Sequence, residues 1–144
     1  MKRNILIIVL LVACLGGWYG YHEYNRKNKD LAFAKADFKV DAIALINEFE
    51  KDSLANKKYL NKIISVTGNV KKIDADGNPV IIFLGDVNNM SSVKCSMDST
   101  HKKDYEAIKP GNKISVKGIC TGGQQQDMFG TDVTLNYCVP EKNN

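Results

Sequence analysis

Five short stretches, four of alternating apolar and polar side chains and one continuously apolar, are the feature that most constrains the fold of this chain. Apolar residues at every second position give a strand one face for a core and another for solvent. The stretches span residues 64–70, 79–84, 92–97, 114–120 and 132–138. Turn-forming residues separate them, most clearly Asp74, Asp76 and Gly77. The pattern predicts a mainly β chain, and its 144 residues leave little room for a second large domain.

Two helices are predicted beside these strands. Residues 98–110 lose the alternation and fit a short helix that ends at Pro110. Asp41 is a predicted N-cap for an earlier helix. The apolar positions of that earlier helix recur at helical spacing: Ala42, Leu45, Ile46 and Phe49. Three strands, a short helix and two further strands are the order of an OB-fold, a five-stranded Greek-key barrel with a short helix between its third and fourth strands.

An apolar run at residues 5–21 follows the basic pair Lys2 and Arg3, and it has three interpretations. As an uncleaved anchor it is near the shortest length that spans a bilayer, with aromatic residues at its far end. As a lipoprotein signal it contains Leu11-Val12-Ala13-Cys14, in which Cys14 would be lipidated. As a cleaved secretory signal it lacks the usual small-residue cleavage pattern. All three interpretations predict membrane insertion or export.

The chain therefore divides into an N-terminal membrane or signal segment and an exported domain. The predicted boundaries are 1–21 for the N-terminal segment, 22–39 for a charged tether, 40–139 for the OB-fold domain with its leading helix, and 140–144 for a tail. Because export follows from the N-terminal segment, we expect the domain to lie outside the cytoplasm and to be attached to the membrane.

The net charge argues against a strongly anionic partner. The chain carries 20 basic and 16 acidic residues, and removing Lys2 and Arg3 leaves 18 against 16. A domain this close to neutral does not offer the excess of positive charge that nucleic-acid binding uses. Export would also separate the domain from most nucleic acid. We therefore expect that nucleic acid is not its main partner.

The sequence contains no recognisable set of catalytic or metal-binding residues. His22 and His101 are the two histidines, no Cys-x-x-Cys pair is present, and no Ser/His/Asp arrangement or carboxylate pair is evident. We therefore expect no enzymatic activity, no metal site and no cofactor.

Three further cysteines, Cys95, Cys120 and Cys138, lie in the second half of the chain. Outside the cytoplasm two of them can form a disulfide. Alternation favours Cys95 with Cys120, because both point inward whereas Cys138 points outward. The OB-fold strand order instead favours Cys95 with Cys138, because their strands are neighbours. A bridge between Cys120 and Cys138 fits least, since a simple hairpin sets them near opposite ends, and buried free thiols are the alternative to any bridge.

Three segments of the chain resemble the tRNA_anti-like OB-fold family of bacteria. They are 55–70 (ANKKYLNKIISVTGNV), 108–122 (IKPGNKISVKGICTG) and 133–138 (VTLNYC). The resemblance covers about residues 40–139, and an N-terminal apolar anchor is typical of the family. It implies an OB-fold in the envelope of a bacterial cell and supplies no catalytic residues. The connection at 124–130 looks longer than is usual in the family.

OB-folds bind ligands on the outer face of their second and third strands. The residues predicted to point inward from these strands are Val80, Ile82, Leu84, Val93, Cys95 and Met97. The predicted ligand face comprises the outward Phe83 and Lys94, with Lys71 nearby. We therefore predict a non-catalytic, membrane-attached binding or interaction module whose ligand is a protein, a peptide or an oligosaccharide. A single-stranded nucleic acid is the alternative ligand.

Overall fold

The computed structural model describes residues 11–12, 14–21, 30–52, 54–126 and 130–141 of the chain. The strands are β1 (Phe38–Asp41), β2 (Ile63–Asp74), β3 (Ile81–Leu84), β4 (Ser92–Met97), β5 (Lys113–Gln126) and β6 (Gly130–Pro140). The helices are α1 (Ala42–Lys51), α2 (Ala55–Tyr59) and α3 (Lys102–Tyr105), the last preceded by a 3₁₀ turn at Ser99–His101.

Strands β2 to β6 close into a barrel. Their order is β2-β3-β4-β6-β5, and β5 pairs back with β2 from Ile63↔Ile119 to Asn69↔Lys113. These pairings are antiparallel except between β4 and β6, which run in parallel. Five strands in this order, with α3 between the third and the fourth, form an OB-fold. The mainly β, five-stranded Greek-key barrel that the alternation predicts is confirmed.

The barrel interior is built by the inward positions of the alternating segments. Five of the six residues predicted to point inward are at most 1% exposed: Ile82, Leu84, Val93, Cys95 and Met97. The sixth, Val80, is partly buried and packs against the core. The predicted apolar positions of α1 are also buried: Ala42, Leu45, Ile46 and Phe49. Because α1 contacts β2, β4, β5 and β6, it covers one end of the barrel and completes the core there.

The start of α1 is determined by its cap and by a close approach to β2. Asp41 is extended, and its carboxylate accepts a hydrogen bond from the Ile43 N–H at 2.9 Å, as expected of the predicted N-cap. A Cβ on Gly68 would lie 2.7 Å from the Cβ of Ala42. Glycine at this position therefore allows the first turn of α1 to pack directly on β2.

The N-terminal end of the domain differs from the predicted boundaries. Residues 38–41 form β1, which pairs in parallel with β2 from Phe38↔Ile64 to Asp41↔Thr67. The predicted tether at 22–39 therefore ends in a strand of the domain. A strand of four residues that runs straight into a helix leaves too short an alternation to be recognised.

Residues 30–37, here called the strap, also lie on the barrel. Leu31 is only 1% exposed. The ammonium group of Lys117 on β5 donates hydrogen bonds to the carbonyl oxygens of Ala32 at 3.3 Å and Ala34 at 2.7 Å. The strap is therefore part of the folded domain rather than of a free tether.

The predicted membrane segment at 1–21 is described only in part. Residues 11–12 and 14–21 are helical and their side chains are exposed. In the part of the chain that the structure describes, no helix combines the length and the apolarity of a membrane span. The rest of the predicted segment, residues 22–29 of the tether and residues 142–144 of the tail lie outside the described residues.

Strands β5 and β6 form a longer hairpin than the alternation predicts. β5 runs to Gln126 and β6 starts at Gly130, and these two residues are paired. The predicted polar connection at 124–130 is therefore largely strand, with residues 127–129 outside the described ranges. Neither arm has an alternating apolar face at this end, so period-two patterning does not reveal the extension.

Candidate functional site

The outer face of β2, β3 and β4 centres on the ring of Phe83. This residue is paired with Lys72 on β2 and with Lys94 on β4. The ammonium nitrogens of Lys72 and Lys94 lie 5.9 and 6.0 Å from the ring centroid. Each cation is close enough to interact with the ring electrons. The structure thus brings together Phe83 and Lys94 of the predicted ligand face.

The charge of Lys94 is balanced by Asp132 on β6. Lys94 Nζ and Asp132 Oδ2 are 2.8 Å apart. The other carboxylate oxygen of Asp132 accepts a hydrogen bond from Ser92 Oγ at 2.8 Å. Two partners therefore hold a negative charge beside Lys94, so the Phe83 face combines an aromatic surface with nearly balanced charge.

Lys71 does not lie on this face, which corrects its predicted place there. A bulge between Val70 and Lys72 shifts the alternation of β2 by one residue. The Lys71 ammonium group instead donates to the carbonyl oxygens of Asn89 at 2.6 Å and Ser91 at 2.9 Å. Burial lowers the pKa of this ammonium group. Lys71 thus holds the loop between β3 and β4 in place. Lys72 lies beside Phe83, where Lys71 was predicted to lie.

A groove of about 830 Å³ opens on the same outer surface. It begins at Ser96, two residues along β4 from Lys94. Its polar side chains include Asp30, Asn78, Ser96, Asp98, Thr100 and Asn136. Its apolar surface comes mainly from Pro79 and Tyr137. The strap, the loop between β2 and β3, β4, the 3₁₀ turn and β6 therefore all contribute to its walls.

β6 places two consecutive side chains, Asn136 and Tyr137, at this groove. Opposite Cys95 and Met97 the register of β6 shifts, and Tyr137 has a φ of 55°. This left-handed conformation is strained for a tyrosine. It also inverts the alternation, since Tyr137 is 43% exposed and Cys138 is fully buried. Period-two reasoning placed Cys138 outward and did not find Tyr137, because a bulge leaves no mark in the sequence.

His101 ties the strap to the 3₁₀ turn at the edge of the groove. Its Nε2 atom lies 2.9 Å from Asp30 Oδ1, and its Nδ1 atom lies 3.3 Å from Asp104 Oδ2. Partial burial disfavours the charged imidazole, but hydrogen bonds to both carboxylates outweigh that effect and raise the pKa of His101. This contact between two residues that are distant in the sequence thereby positions Asp30 in the groove wall.

The groove carboxylates already have hydrogen-bond partners. Asp98 accepts from the Thr100 N–H at 2.9 Å and from the Thr100 hydroxyl at 2.7 Å. Asp30 accepts from the Ala32 N–H at 2.9 Å and contacts His101. Within the described ranges, no three His, Cys, Asp or Glu side chains are grouped so that they could hold a metal ion. The groove is thus suited to hydrogen bonding.

The cysteines are free thiols, so the predicted disulfide is not formed. Cys95 and Cys138 lie on the neighbouring strands β4 and β6 and interact through their side chains, so the strand order and not the alternation identifies the adjacent pair. Burial and the contact with Cys95 raise the pKa of Cys138 well above its usual value, and burial raises that of Cys120. The predicted lipidation residue, Cys14, is exposed in the helical segment 14–21.

Comparison with solved structures finds several proteins with a similar fold over part of the chain. A putative nucleic acid-binding lipoprotein from Klebsiella pneumoniae subsp. pneumoniae MGH 78578 matches with a TM-score of 0.54 and 21% identity, covering 72% of this chain and 91% of that one. An OBody bound to hen egg-white lysozyme matches with a TM-score of 0.44 and 13% identity, covering 60% and 88%. An aspartyl-tRNA synthetase from Entamoeba histolytica matches with a TM-score of 0.39 and 12% identity, covering 77% and 26%. At these identities the first likeness shows the fold alone.

The family comparison reaches further along the chain. A search of the curated proteins finds no match. The tRNA_anti-like family model matches residues 1–138, which include the N-terminal segment and the barrel. The resemblance of segments 55–70, 108–122 and 133–138 to this family is therefore confirmed. The chain belongs to the tRNA_anti-like family, and its five-stranded barrel is the OB-fold of that family.

Proposed function

We propose that this protein is a non-catalytic binding module, attached by its N-terminal segment to a bacterial membrane and displayed on the outer side. Its ligand rests on the Phe83 face. The observation that carries the proposal is the partly exposed Phe83 ring, with ammonium groups 5.9 and 6.0 Å from its centroid, on a surface that also opens a groove of about 830 Å³. An aromatic surface beside a cleft with convergent polar groups is typical of a binding site.

The balanced charge of this surface favours a ligand that is not a polyanion. Lys94 is paired with Asp132 at 2.8 Å, and the groove adds the carboxylates of Asp30 and Asp98. A phosphate backbone on this surface would approach all three negative charges, and few cations would remain to replace its counterions. A peptide, a protein surface or an oligosaccharide encounters no such repulsion.

Attachment to a membrane is supported by the N-terminal sequence. Lys2 and Arg3 precede the apolar run at 5–21, and Cys14 within it follows a lipobox-like triplet. The family model begins at residue 1, so this segment is part of the family pattern. The protein from Klebsiella pneumoniae with the same fold is named as a lipoprotein. The strap begins at Asp30, nine positions after Tyr21, so the sequence leaves only a short connection between this segment and the barrel.

Mass spectrometry of the full chain extracted from membranes tests the attachment. An intact N-terminus indicates an uncleaved anchor, and an acylated Cys14 at a new N-terminus indicates a lipoprotein. Recovery of the full chain from the soluble cytoplasmic fraction would contradict the proposal. Sidedness is tested with Val87→Cys, because Val87 is 68% exposed and the native cysteines of the barrel are buried. We expect a membrane-impermeant thiol reagent to label this variant in intact spheroplasts, and labelling only after lysis would reverse the assignment.

Single-stranded nucleic acid is the second candidate ligand, and one specific observation favours it. Phe83 lies between Lys72 and Lys94, and a ring between two cations can stack a base while the cations contact its phosphates. The name of the Klebsiella pneumoniae protein also refers to nucleic acid binding. Under this alternative the salt dependence of binding is the diagnostic property.

Fluorescence anisotropy with labelled single strands at low and high salt separates the two candidates. Under the first proposal we expect no salt-sensitive binding by the full chain in detergent. Salt-sensitive binding that Phe83→Ala and Lys72→Ala both weaken would instead identify single-stranded nucleic acid as the ligand. Phe33→Ala is the matched control, because Phe33 is a 92% exposed aromatic residue on the strap that lies beside residues of β1, β2 and β5 and not beside Phe83.

A further inference from the structure

We infer that the groove beside Phe83 binds an uncharged oligosaccharide, with the Tyr137 ring as the surface on which a sugar packs. The inference rests on the proposed function, because it assigns a ligand class to the same outer surface. It depends on four features of the groove: its size, its lining, the state of its carboxylates and the backbone of Tyr137.

The size of the groove suits a small saccharide. Its volume of about 830 Å³ lies within the range of roughly 300–1,000 Å³ that small-molecule sites occupy. Five separate parts of the chain meet around it, from the strap at Asp30 to β6 at Tyr137. The groove is therefore bounded on several sides while it stays open to solvent, and a ligand can lie along it.

The lining combines groups that both donate and accept hydrogen bonds. Hydroxyls come from Ser96, Ser99 and Thr100, and amides come from Asn78 and Asn136. Sugar hydroxyls also donate and accept, so these side chains match them without any net charge. Among the described residues that line the groove there is no lysine and no arginine. The groove therefore has no cation of that kind with which to hold a phosphate, a sulfate or a uronic acid.

The two carboxylates of the groove are held in fixed positions by neighbouring groups, each through its Oδ1 atom. Asp98 is held by two hydrogen bonds from Thr100. Asp30 is held by the Ala32 N–H and lies 2.9 Å from the imidazole of His101. A carboxylate with such partners can still accept one hydrogen bond from a hydroxyl through a remaining lone pair. This arrangement gives a hydroxyl-bearing ligand two fixed acceptors and disfavours an anionic ligand.

The backbone of Tyr137 indicates that its exposed ring has a role. A tyrosine at φ 55° is strained, and glycine or asparagine would adopt this conformation at lower cost. Tyr137 and the preceding Asn136 both line the groove, so the strained residue brings an aromatic side chain to the same cleft as an amide. Strain of this kind is concentrated at ligand sites. An aromatic face next to an amide is suited to pack against the apolar face of a sugar ring while the amide bonds its hydroxyls.

Tyr137→Gly separates a binding role from a structural role. Glycine removes the ring and also relieves the left-handed strain, so the denaturation midpoint of the full chain should not fall. We expect this variant to lose at least about tenfold in affinity for the glycan, since each factor of ten is about 1.4 kcal/mol. Tyr137→Phe keeps the ring and should retain most of the affinity. Val87→Ala, on an exposed loop, is the matched control.

The assay is a glycan array probed with the full chain in detergent, carrying neutral, amino and acidic oligosaccharides, followed by calorimetry with the best-bound glycan. Binding of neutral glycans that Tyr137→Gly abolishes supports the inference. Binding of acidic glycans alone, binding unaffected by Tyr137→Gly, or no glycan binding would overturn it. None of these results bears on the proposed attachment and sidedness, because the Val87→Cys labelling tests them independently. Failure of the glycan inference can therefore be distinguished from failure of the proposed attachment.

Discussion

Gly118 on β5 lies so close to Cys138 on β6 that a Cβ on Gly118 would come within 2.6 Å of the Cys138 sulfur. The same Cβ would lie 3.2 Å from the carbonyl oxygen of Asn136. The bulge that turns Tyr137 outward and Cys138 inward thus requires a residue without a side chain on the opposing strand. Packing at Gly118 therefore affects both the outer groove, through Tyr137, and the core, through Cys138.

We therefore expect Gly118→Ala to destabilise the protein by about 1–3 kcal/mol through overpacking. Cys138→Ala removes the sulfur, so the double variant should lose less stability than the sum of the two single variants. The measurement is the free energy of unfolding in urea. Gly77→Ala is the control, because its added Cβ would meet only a carbonyl oxygen at 3.7 Å. Strict additivity in the double variant would show that the clash is not with the sulfur.

Phe49 on α1 should be among the most costly side chains to truncate. It is 8% exposed, and its ring stacks on that of Tyr59 with centroids 6.0 Å apart. Phe49→Ala is expected to cost about 3–5 kcal/mol of unfolding free energy. Ile43→Ala on the same helix is the control, because Ile43 is 50% exposed and its loss should cost less than about 1 kcal/mol. Equal effects of the two substitutions would mean that α1 does not close the barrel.

Lys71 and Lys72 are neighbours in sequence with different roles. The Lys71 ammonium group holds two loop carbonyls at 2.6 and 2.9 Å, whereas that of Lys72 lies over Phe83. We expect Lys71→Met to lower the free energy of unfolding by about 2 kcal/mol, as the loss of charged hydrogen bonds does. Lys72→Met should leave stability within about 0.5 kcal/mol. Thermal denaturation of both variants measures these effects. If Lys72→Met were the more destabilising substitution, the assignment of Lys71 to the loop and of Lys72 to the ligand face would be wrong.

His101 makes the docking of the strap dependent on pH. The pKa of its imidazole is raised above the ordinary value of 6.5, so its ion pairs with Asp30 and Asp104 contribute fully below that pH. The contribution is lost as the pH rises through the raised pKa. We expect the stability difference between the unsubstituted protein and His101→Gln to be largest near about pH 5.5 and to shrink above about pH 6.5. Urea denaturation across this range measures it, and a constant difference would exclude a charged imidazole.

The strands could be predicted wherever the alternation continues without interruption. Ile82, Leu84 and Val93 are buried as their parity requires. The prediction failed at bulges, because one extra residue inverts the parity of everything that follows it. That is why Cys138 lies inside the barrel rather than outside it, and why Lys71 contacts the loop between β3 and β4 rather than Phe83.

The groove could not be predicted because its walls are distant in sequence. Asp30 precedes the barrel and Tyr137 lies in its last strand, yet both line the same cleft. No local pattern marks residues 30–37 as a strap, since its contacts depend on His101 and Lys117 in the folded barrel. Phe83 and Lys94 could be predicted, because they belong to adjacent strands of a recognisable fold.

In the proposed membrane-attached protein, the position of Asp30 limits how far from the membrane surface the groove can bind a ligand. Nine peptide units join Tyr21, at the end of the N-terminal segment, to Asp30 in the groove wall. Even fully extended, that length of chain reaches only about 30 Å. Under the proposed attachment through an uncleaved anchor, a groove connected in this way would sample only a thin layer next to the membrane surface. Ligands deeper in the envelope would then lie beyond its reach, and the length of this connection would limit the choice of partners as much as the groove does.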